Sequence, residues 1–306
     1  MRHLSTRTIL FSALVVLVAT VDAGQRPTLS STRTRVVFLG TGNPGAVPER
    51  SGPATAIVVN DTAYLVDFGP GVVRRAAAAF IEKAIGAVEP TRLRVAFATH
   101  LHSDHTVGYP DLIFSPWTLG RRVPLEVYGP TGLKAMTEHI VEAYRVDIDT
   151  RTNDNGQQRE FPDGYKVNAH EVTTGIVYKD ANVTVTAFPT KHAMESYGYR
   201  FDTADRSIVI SGDTNPTQAT IDACRGCDVL VHEALPFVAT RSEMGKRFGE
   251  LYHTSPAQLA DLARQARPGL LIMYHQGGGA GTDGLFDDMR ARYSGHFAIA
   301  RDLDVF

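Results

Sequence analysis

Short apolar runs alternate with amphipathic segments along most of the chain. Arg35 to Leu39 is a β-branched apolar run that ends in Gly40-Thr41-Gly42. Thr55 to Val59 and Ala63 to Val66 predict two paired strands, with Asn60-Asp61 as the turn between them. Val72 to Ile85 is Ala-rich and predicts a helix entered through Gly69-Pro70-Gly71. Leu93 to Ala98 and Leu125 to Tyr128 predict buried strands, and Gly132 to Tyr144 a helix. Arg151 to Gly164 is polar and reads as a surface loop. Strands are then predicted over Val183 to Phe188, Tyr197 to Phe201 and Ser207 to Ile210. A helix over Pro216 to Cys224 leads to a strand over Val229 to Val231. Pro256 to Ala266 predicts a helix, Leu270 to Met273 a strand, Gly284 to Tyr293 a helix, and Phe297 to Ala300 a last strand. No Pro/Gly/Ser-rich linker interrupts the series, so a single large α/β domain is expected.

The first residues follow a different pattern. Arg2, His3 and Arg7 are basic, Ile9 to Ala19 is apolar except for Ser12, and Val21-Asp22-Ala23 offers small residues for cleavage. That is the pattern of a secretory signal peptide. The apolar run falls short of the roughly 20 residues needed to cross a bilayer, so no stable membrane anchor is expected. Residues 1–23 are therefore expected to be an export signal and residues 24–306 the folded domain, in the periplasm or secreted.

Composition narrows the function classes. With 31 Lys+Arg against 33 Asp+Glu, the net charge of −2 gives no global basic field for a polyanion. Two cysteines, Cys224 and Cys227, exclude a disulfide scaffold and a four-thiolate zinc site, and read best as a buried pair or a tight disulfide. Eleven histidines point towards metal ligation or proton transfer.

The densest chemistry lies at Thr99-His100-Leu101-His102-Ser103-Asp104-His105, directly after a predicted strand. Loops beyond strand ends are where α/β proteins place their reactive groups. His100 and His102, two apart, can present both rings on one side of an extended segment. His192, His275 and Asp213 each lie near a strand end, though read alone each also fits a core, surface or turn role. His232-Glu233 ends the strand from Val229, where His232 also fits a packing role, and His253 precedes Thr254 and Ser255, where it also fits a helix cap.

His-x-His-x-Asp-His resembles the metal signature of the metallo-β-lactamase fold superfamily. Phe38-Leu39-Gly40-Thr41-Gly42, Val66-Asp67-Phe68-Gly69, Lys191-His192, Tyr197-Gly198-Tyr199-Arg200, Ser211-Gly212-Asp213-Thr214, His232-Glu233-Ala234, His253-Thr254-Ser255 and Tyr274-His275 resemble the ribonuclease Z branch. The resemblance implies a four-layer αββα sandwich with mixed sheets and two metals at the sheet edge. It assigns one Zn2+ (or another divalent transition metal) to His100, His102 and His192, and a second to Asp104, His105 and His275. Asp213 would bridge them, Asp67 would hold the metal loop, and a hydroxide would fill the second bridge. Asp104 would also orient or deprotonate that hydroxide. His253, oriented by Glu233, and less directly His232, would carry the leaving-group proton.

The tRNA-processing branch carries a long arm between the Gly-Tyr-Arg strand and the Ser-Gly-Asp-Thr loop. Here only Asp202 to Arg206 join Phe201 to Ser207, so tRNA is not an expected partner. Lys191, Arg200, Arg121 and Arg122 could form a small anion-binding rim. Tyr128-Gly129-Pro130 and Gly175-Ile176-Val177-Tyr178 are similar to exported arylsulfatase-like and phosphodiesterase-like members. The expectation is a zinc hydrolase acting on a small anionic sulfate or phosphate ester, with a homodimer allowed. The alternatives are a lactonase or β-lactamase-like amide hydrolase, an arm-less ribonuclease Z-like phosphodiesterase, and a metal-binding scaffold.

Overall fold

The computed structural model describes residues 34–235, 242–277 and 281–306. The expected signal segment lies outside them. Among the described residues, one sheet holds β1 (Thr34–Gly40), β2 (Ala54–Val59), β3 (Thr62–Val66), β4 (Val95–Phe97), β5 (Leu125–Gly129) and β6 (Val167–Glu171), in that order. The second holds β7 (Gly175–Lys179), β8 (Val183–Pro189), β9 (Tyr197–Thr203), β10 (Ser207–Ile210), β11 (Val229–Glu233), β12 (Leu270–Tyr274) and β13 (Phe297–Ile299), also side by side in sequence order. Both sheets are mixed: β1–β3 and β7–β10 pair antiparallel, and the later strands of each sheet pair parallel. The helices are α1 (Val72–Lys83), α2 (Ser103–Thr106), α3 (Tyr109–Thr118), α4 (Leu133–Ala143), α5 (Arg145–Thr152), α6 (Gln218–Cys224), α7 (Glu243–Tyr252), α8 (Pro256–Ala266) and α9 (Gly281–Arg292).

Strand alternation builds the layers. Side chains two apart share a sheet face. In β1, Val37 and Leu39 join a core with Val72, Val73 and Ala76 of α1 and Leu112 and Ile113 of α3. Their neighbours Val36 and Phe38 face the other way, into a core with Tyr199, Phe201, Ile208 and Ile210 of the second sheet. Leu230, Leu271 and Met273 turn outward onto Leu259, Ala260 and Ala263 of α8 and Leu285 and Met289 of α9. Helix, sheet, sheet, helix is the order of the layers, as expected. Phe97 sits between the sheets, with its ring 5.3 Å from those of both Tyr128 and Tyr199.

The strongest local signals survive folding intact. The Asn60-Asp61 turn closes the β2–β3 hairpin, with Asn60 at φ 54°. Helix α8 starts on a capping box between Ser255 and Gln258, with Pro256 in the first turn. Other elements differ from expectation. The first helix stops at Lys83, because Ala84 turns left-handed at φ 52°. Helix α5 runs through Thr152, into the start of the expected loop over Arg151 to Gly164. Helices α3 and α7 and strands β6 and β7 had no counterpart in the sequence reading. Helix α3 contains Pro116, which reads as a breaker. The edge strands β6 and β7 are largely exposed, and their apolar residues are few: β6 reads Val-Asn-Ala-His-Glu, and β7 has only Ile176-Val177-Tyr178. Cys224 and Cys227 are joined by a disulfide at the end of α6. No helix among the described residues is long and apolar enough to cross a membrane.

The C-terminal ends of β4, β8, β10, β11 and β12 point to one edge of the sandwich. Backbone bonds tie the two sheets together there: Tyr197 N–H donates to the Thr99 carbonyl at 2.9 Å, and Gln276 N–H to that of Thr41 at 2.8 Å.

Candidate metal centre

The loop after β4 carries His100, His102, Asp104 and His105, and Asp67 holds it in place. The Asp67 carboxylate accepts from Thr99 N–H at 2.7 Å, Thr99 Oγ1 at 3.0 Å and His105 Nδ1 at 2.8 Å. With Nδ1 engaged, His105 can present only Nε2 to the interior. The glycine turn beside it is equally constrained: a Cβ on Gly69 would lie 2.4 Å from the Asp104 carbonyl oxygen. Only glycine lets the two loops press together at this point.

The other donors arrive from the second sheet. His192 follows β8 and donates from Nδ1 to the Tyr252 carbonyl at 3.1 Å. Asp213 follows β10 and is buried, and His275 follows β12 at φ 60°. Two groups form. His100, His102 and His192 bring one nitrogen each to within 4.8 Å of one another, and so do the donors of Asp104, His105 and His275. Asp213 joins the two triads: it lies 3.5 Å from His105 Nε2 and 3.3 Å from His275 Nε2, and its carboxylate comes within 4.8 Å of donor atoms of His100 and His192. All seven side chains expected to bind metal are thus brought together, in the expected triads.

Two features fit this set to cations. His105 Nε2 and Asp213 Oδ1 are buried and make no hydrogen bond, an arrangement costing about 1–3 kcal/mol per atom if nothing else compensates. His102 Nδ1 also lies 3.0 Å from both His100 Nε2 and His192 Nε2, so three ring nitrogens converge on one point. Burial holds His100 well below the usual histidine range and His192 at about 4, so both rings are neutral at pH 7 and can offer a lone pair. Burial would raise Asp213, but His275 and His105 hold its carboxyl well below the carboxylate range. Nitrogen with carboxylate oxygen, and no thiolate, is a donor set suited to zinc and its neighbours.

Beside the cluster, His253 Nδ1 lies 2.9 Å from both oxygens of the Glu233 carboxylate. Burial would lower the His253 pKa, but the Glu233 carboxylate outweighs it and raises it to about 9. Glu233 also accepts from Thr214 N–H at 2.7 Å, next to Asp213. His232 lies elsewhere: its Nδ1 donates to the Glu233 carbonyl at 2.8 Å, and its Nε2 is buried without a partner. Among the described residues, no hydrogen bond joins His232 to His253, Asp213 or the Glu233 carboxylate.

The surroundings are less cationic than the sequence suggested. Arg121 is buried and binds four main-chain carbonyls, so it cannot serve an anion-binding rim. Arg200 is held by Asp202 and by the Ala223 carbonyl, and Arg122 lies over the Phe161 ring. A cavity of about 540 Å³ opens beside Asp104, walled by Pro44, Val47, Pro48, Pro70 and Val107. Helix α7 also meets the site: the Phe248 ring lies 5.6 Å from that of His253.

A family model described as the beta-lactamase superfamily domain matches residues 62–276. The chain belongs to the beta-lactamase superfamily. Its relatives place it in the ribonuclease Z-like branch of that superfamily. The ribonuclease Z of Mycobacterium sp. (strain KMS) is 35% identical over 247 residues, spanning 78% of this chain and 83% of that protein. The ribonuclease Z of Mycobacterium bovis (strain BCG / Pasteur 1173P2) is 30% identical over 279 residues, spanning 88% and 96%. Human short-form tRNase Z has the same fold, with a TM-score of 0.66 at 22% identity over 89% of this chain and 98% of that one. So does a metallo-beta-lactamase fold protein of Bacillus subtilis, with a TM-score of 0.69 at 17% identity over 89% and 98%. The superfamily member is a metallo-hydrolase.

Proposed function

We propose that this metallo-hydrolase is a binuclear phosphodiesterase acting on small phosphodiesters. The observation that carries the proposal is the convergence of two three-residue donor groups on the buried carboxylate of Asp213. The ribonuclease Z relatives favour a phosphodiester, an alternative in the sequence reading, over the sulfate half of the expected sulfate or phosphate ester. His100, His102 and His192 would hold one ion and Asp104, His105 and His275 the other, with Asp213 serving both. Zinc is the ion proposed. Such ions supply Lewis acidity and lower the pKa of water towards neutrality.

The protein's own groups do the rest. Asp104 orients the attacking water and accepts its proton at a carboxylate oxygen. Glu233 accepts from His253 Nδ1–H and favours the charged ring, whose Nε2 then carries the proton given to the departing oxygen. His232 is assigned to packing. The β9–β10 link is a tight hairpin in which Asp202 pairs with Ser207, with no room for an arm. That supports small diesters over tRNA, although the relatives named above are ribonucleases.

Export of residues 24–306 to the periplasm or medium is part of the proposal. The Cys224–Cys227 disulfide supports an oxidising compartment. N-terminal sequencing of the secreted protein should begin after Ala23.

The deciding experiment is a panel of bis-p-nitrophenyl phosphate, p-nitrophenyl sulfate, an acyl lactone, nitrocefin and precursor tRNA, with metal content measured alongside. The diester should turn over fastest, with close to two ions per chain, and Asp104→Ala should lose orders of magnitude while staying folded. Turnover confined to the sulfate, lactone or nitrocefin would sink the proposal, and so would a protein that binds no metal.

A further inference from the structure

Helix α7 ends in the metal centre and is fastened there. The Tyr252 carbonyl accepts from His192, and Asn215 Nδ2 donates to the carbonyls of Glu250 at 2.9 Å and His253 at 3.0 Å. One turn earlier the helix presents Phe248. Its ring lies 5.6 Å from that of His253, 6.3 Å from that of His192 and 5.0 Å from that of Tyr252. Despite these contacts, Phe248 keeps 39% of its surface exposed. A large apolar ring held against two site histidines and still open to solvent is a surface prepared for contact.

Its position says what it contacts. His253 Nδ1 is committed to Glu233, which leaves Nε2 as the atom that meets a departing oxygen. Whatever that oxygen carries must stand within a few ångströms of His253, where Phe248 and Tyr252 supply the apolar surface. Exposed aromatic faces favour planar partners, because offset stacking adds to apolar burial. The cavity on the Asp104 side offers aliphatic walls with no aromatic face, so a planar group gains more against α7.

We propose that Phe248, backed by Tyr252, is a specificity-determining residue that stacks on a planar ring carried by the ester oxygen next to His253. The substrate is then an aryl or nucleoside ester rather than a simple alkyl one. This rests on the phosphodiester reading above, and binding separates the two. Phenylphosphonate and methylphosphonate, and uridine 5′-monophosphate and ribose 5-phosphate, are titrated calorimetrically into the metal-loaded protein. The wild type should bind each ring-bearing member about tenfold tighter than its partner, the equivalent of ~1.4 kcal/mol and within the range for base–aromatic stacking. Phe248→Ala should reduce the gap to within about twofold and Phe248→Tyr should keep it, both with unchanged metal content and Tm. Collapse in the phenyl pair alone identifies a small aryl ligand, and collapse in the uridine pair as well identifies a nucleoside.

Equal affinity within both wild-type pairs overturns the inference and leaves the phosphodiester reading standing. A gap that survives Phe248→Ala does the same, as does one abolished by Val47→Ser, which would place the ring in the cavity beside Asp104. If none of the four ligands binds, the phosphodiester reading fails and this inference with it.

Discussion

Asp67 and His275 both lie near φ +60°, where a side chain other than glycine costs about 1–3 kcal/mol. Such strain persists only where the surroundings over-determine it, and both residues belong to the metal centre. Asp67 touches no open coordination position. It binds the back of His105 and the N–H and hydroxyl of Thr99. Asp67→Asn should therefore lower metal affinity about 10–100-fold, as loss of a ligand's supporting partner does elsewhere. Competition with a chromophoric chelator measures it, and unchanged affinity would remove Asp67 from that role. Asp180, on the turn between β7 and β8, gives a proton titration separate from the histidine cluster. Burial would raise its pKa, but donation from Tyr64, Asn182, Val183 and Tyr178 lowers it. A carboxyl depressed on folding stabilises above its unfolded pKa, and that stability is lost as pH falls through the folded value. Asp180→Asn should cost about 1 kcal/mol at pH 7, discounted for its partial exposure. It should also flatten the fall in stability below about pH 4, read from urea titrations across pH. At this scale the sequence was most informative where donors crowd together, as they do from His100 to His105. It misled at Arg121, since composition cannot say whether a guanidinium faces solvent or carbonyl oxygens. Phe248 gave no signal, because its role depends on where α7 docks.

Helix α3 shows how an element can survive a residue that should break it. Pro116 has no N–H, so the Leu112 carbonyl loses its helical partner. Arg121 Nη1 donates to that oxygen at 3.0 Å, and Nη2 to the Ile113 carbonyl at 2.7 Å. The same guanidinium binds Leu93 and Gly164, joining helix, strand approach and loop. Arg121→Met should cost about 2–4 kcal/mol, because buried carbonyls would be left unpaired. Lysine should not rescue it, since an ammonium lacks the planar fork. A lower denaturation midpoint at constant m-value is the expected reading, and a midpoint unmoved by either substitution would refute the account. The helix was illegible in sequence because the residue that completes it lies outside it. Strands β6 and β7 escaped notice for a different reason: edge positions pack on one side at most, so β6 mixes polar with apolar residues and the Ile176-Val177-Tyr178 run of β7 is only three long. Strand β10, buried on both faces, and helix α8, buried along one, lie where the pattern placed them.

For the whole molecule, the span from His100 to His275 already implied that distant segments meet at one point. What the sequence could not give was the division of labour between layers. The four donors of the His-x-His-x-Asp-His loop come from the first sheet. His192, Asp213 and His275 come from the second, and no one sheet can complete either triad. Metal occupancy therefore links the two sheets thermodynamically. A ligand that binds only the folded state, at 1,000 times its Kd, stabilises by about 4 kcal/mol. Chelation should then lower Tm and speed hydrogen exchange at inter-sheet residues such as Tyr199 and Ile272 more than at the α1-facing core. Uniform exchange on chelation would show that the sheets hold together without the ions. If the effect is seen, each ion works as a rivet through two plates. The chemistry would then switch off by a slight parting of the sandwich, before any of its helices unwind.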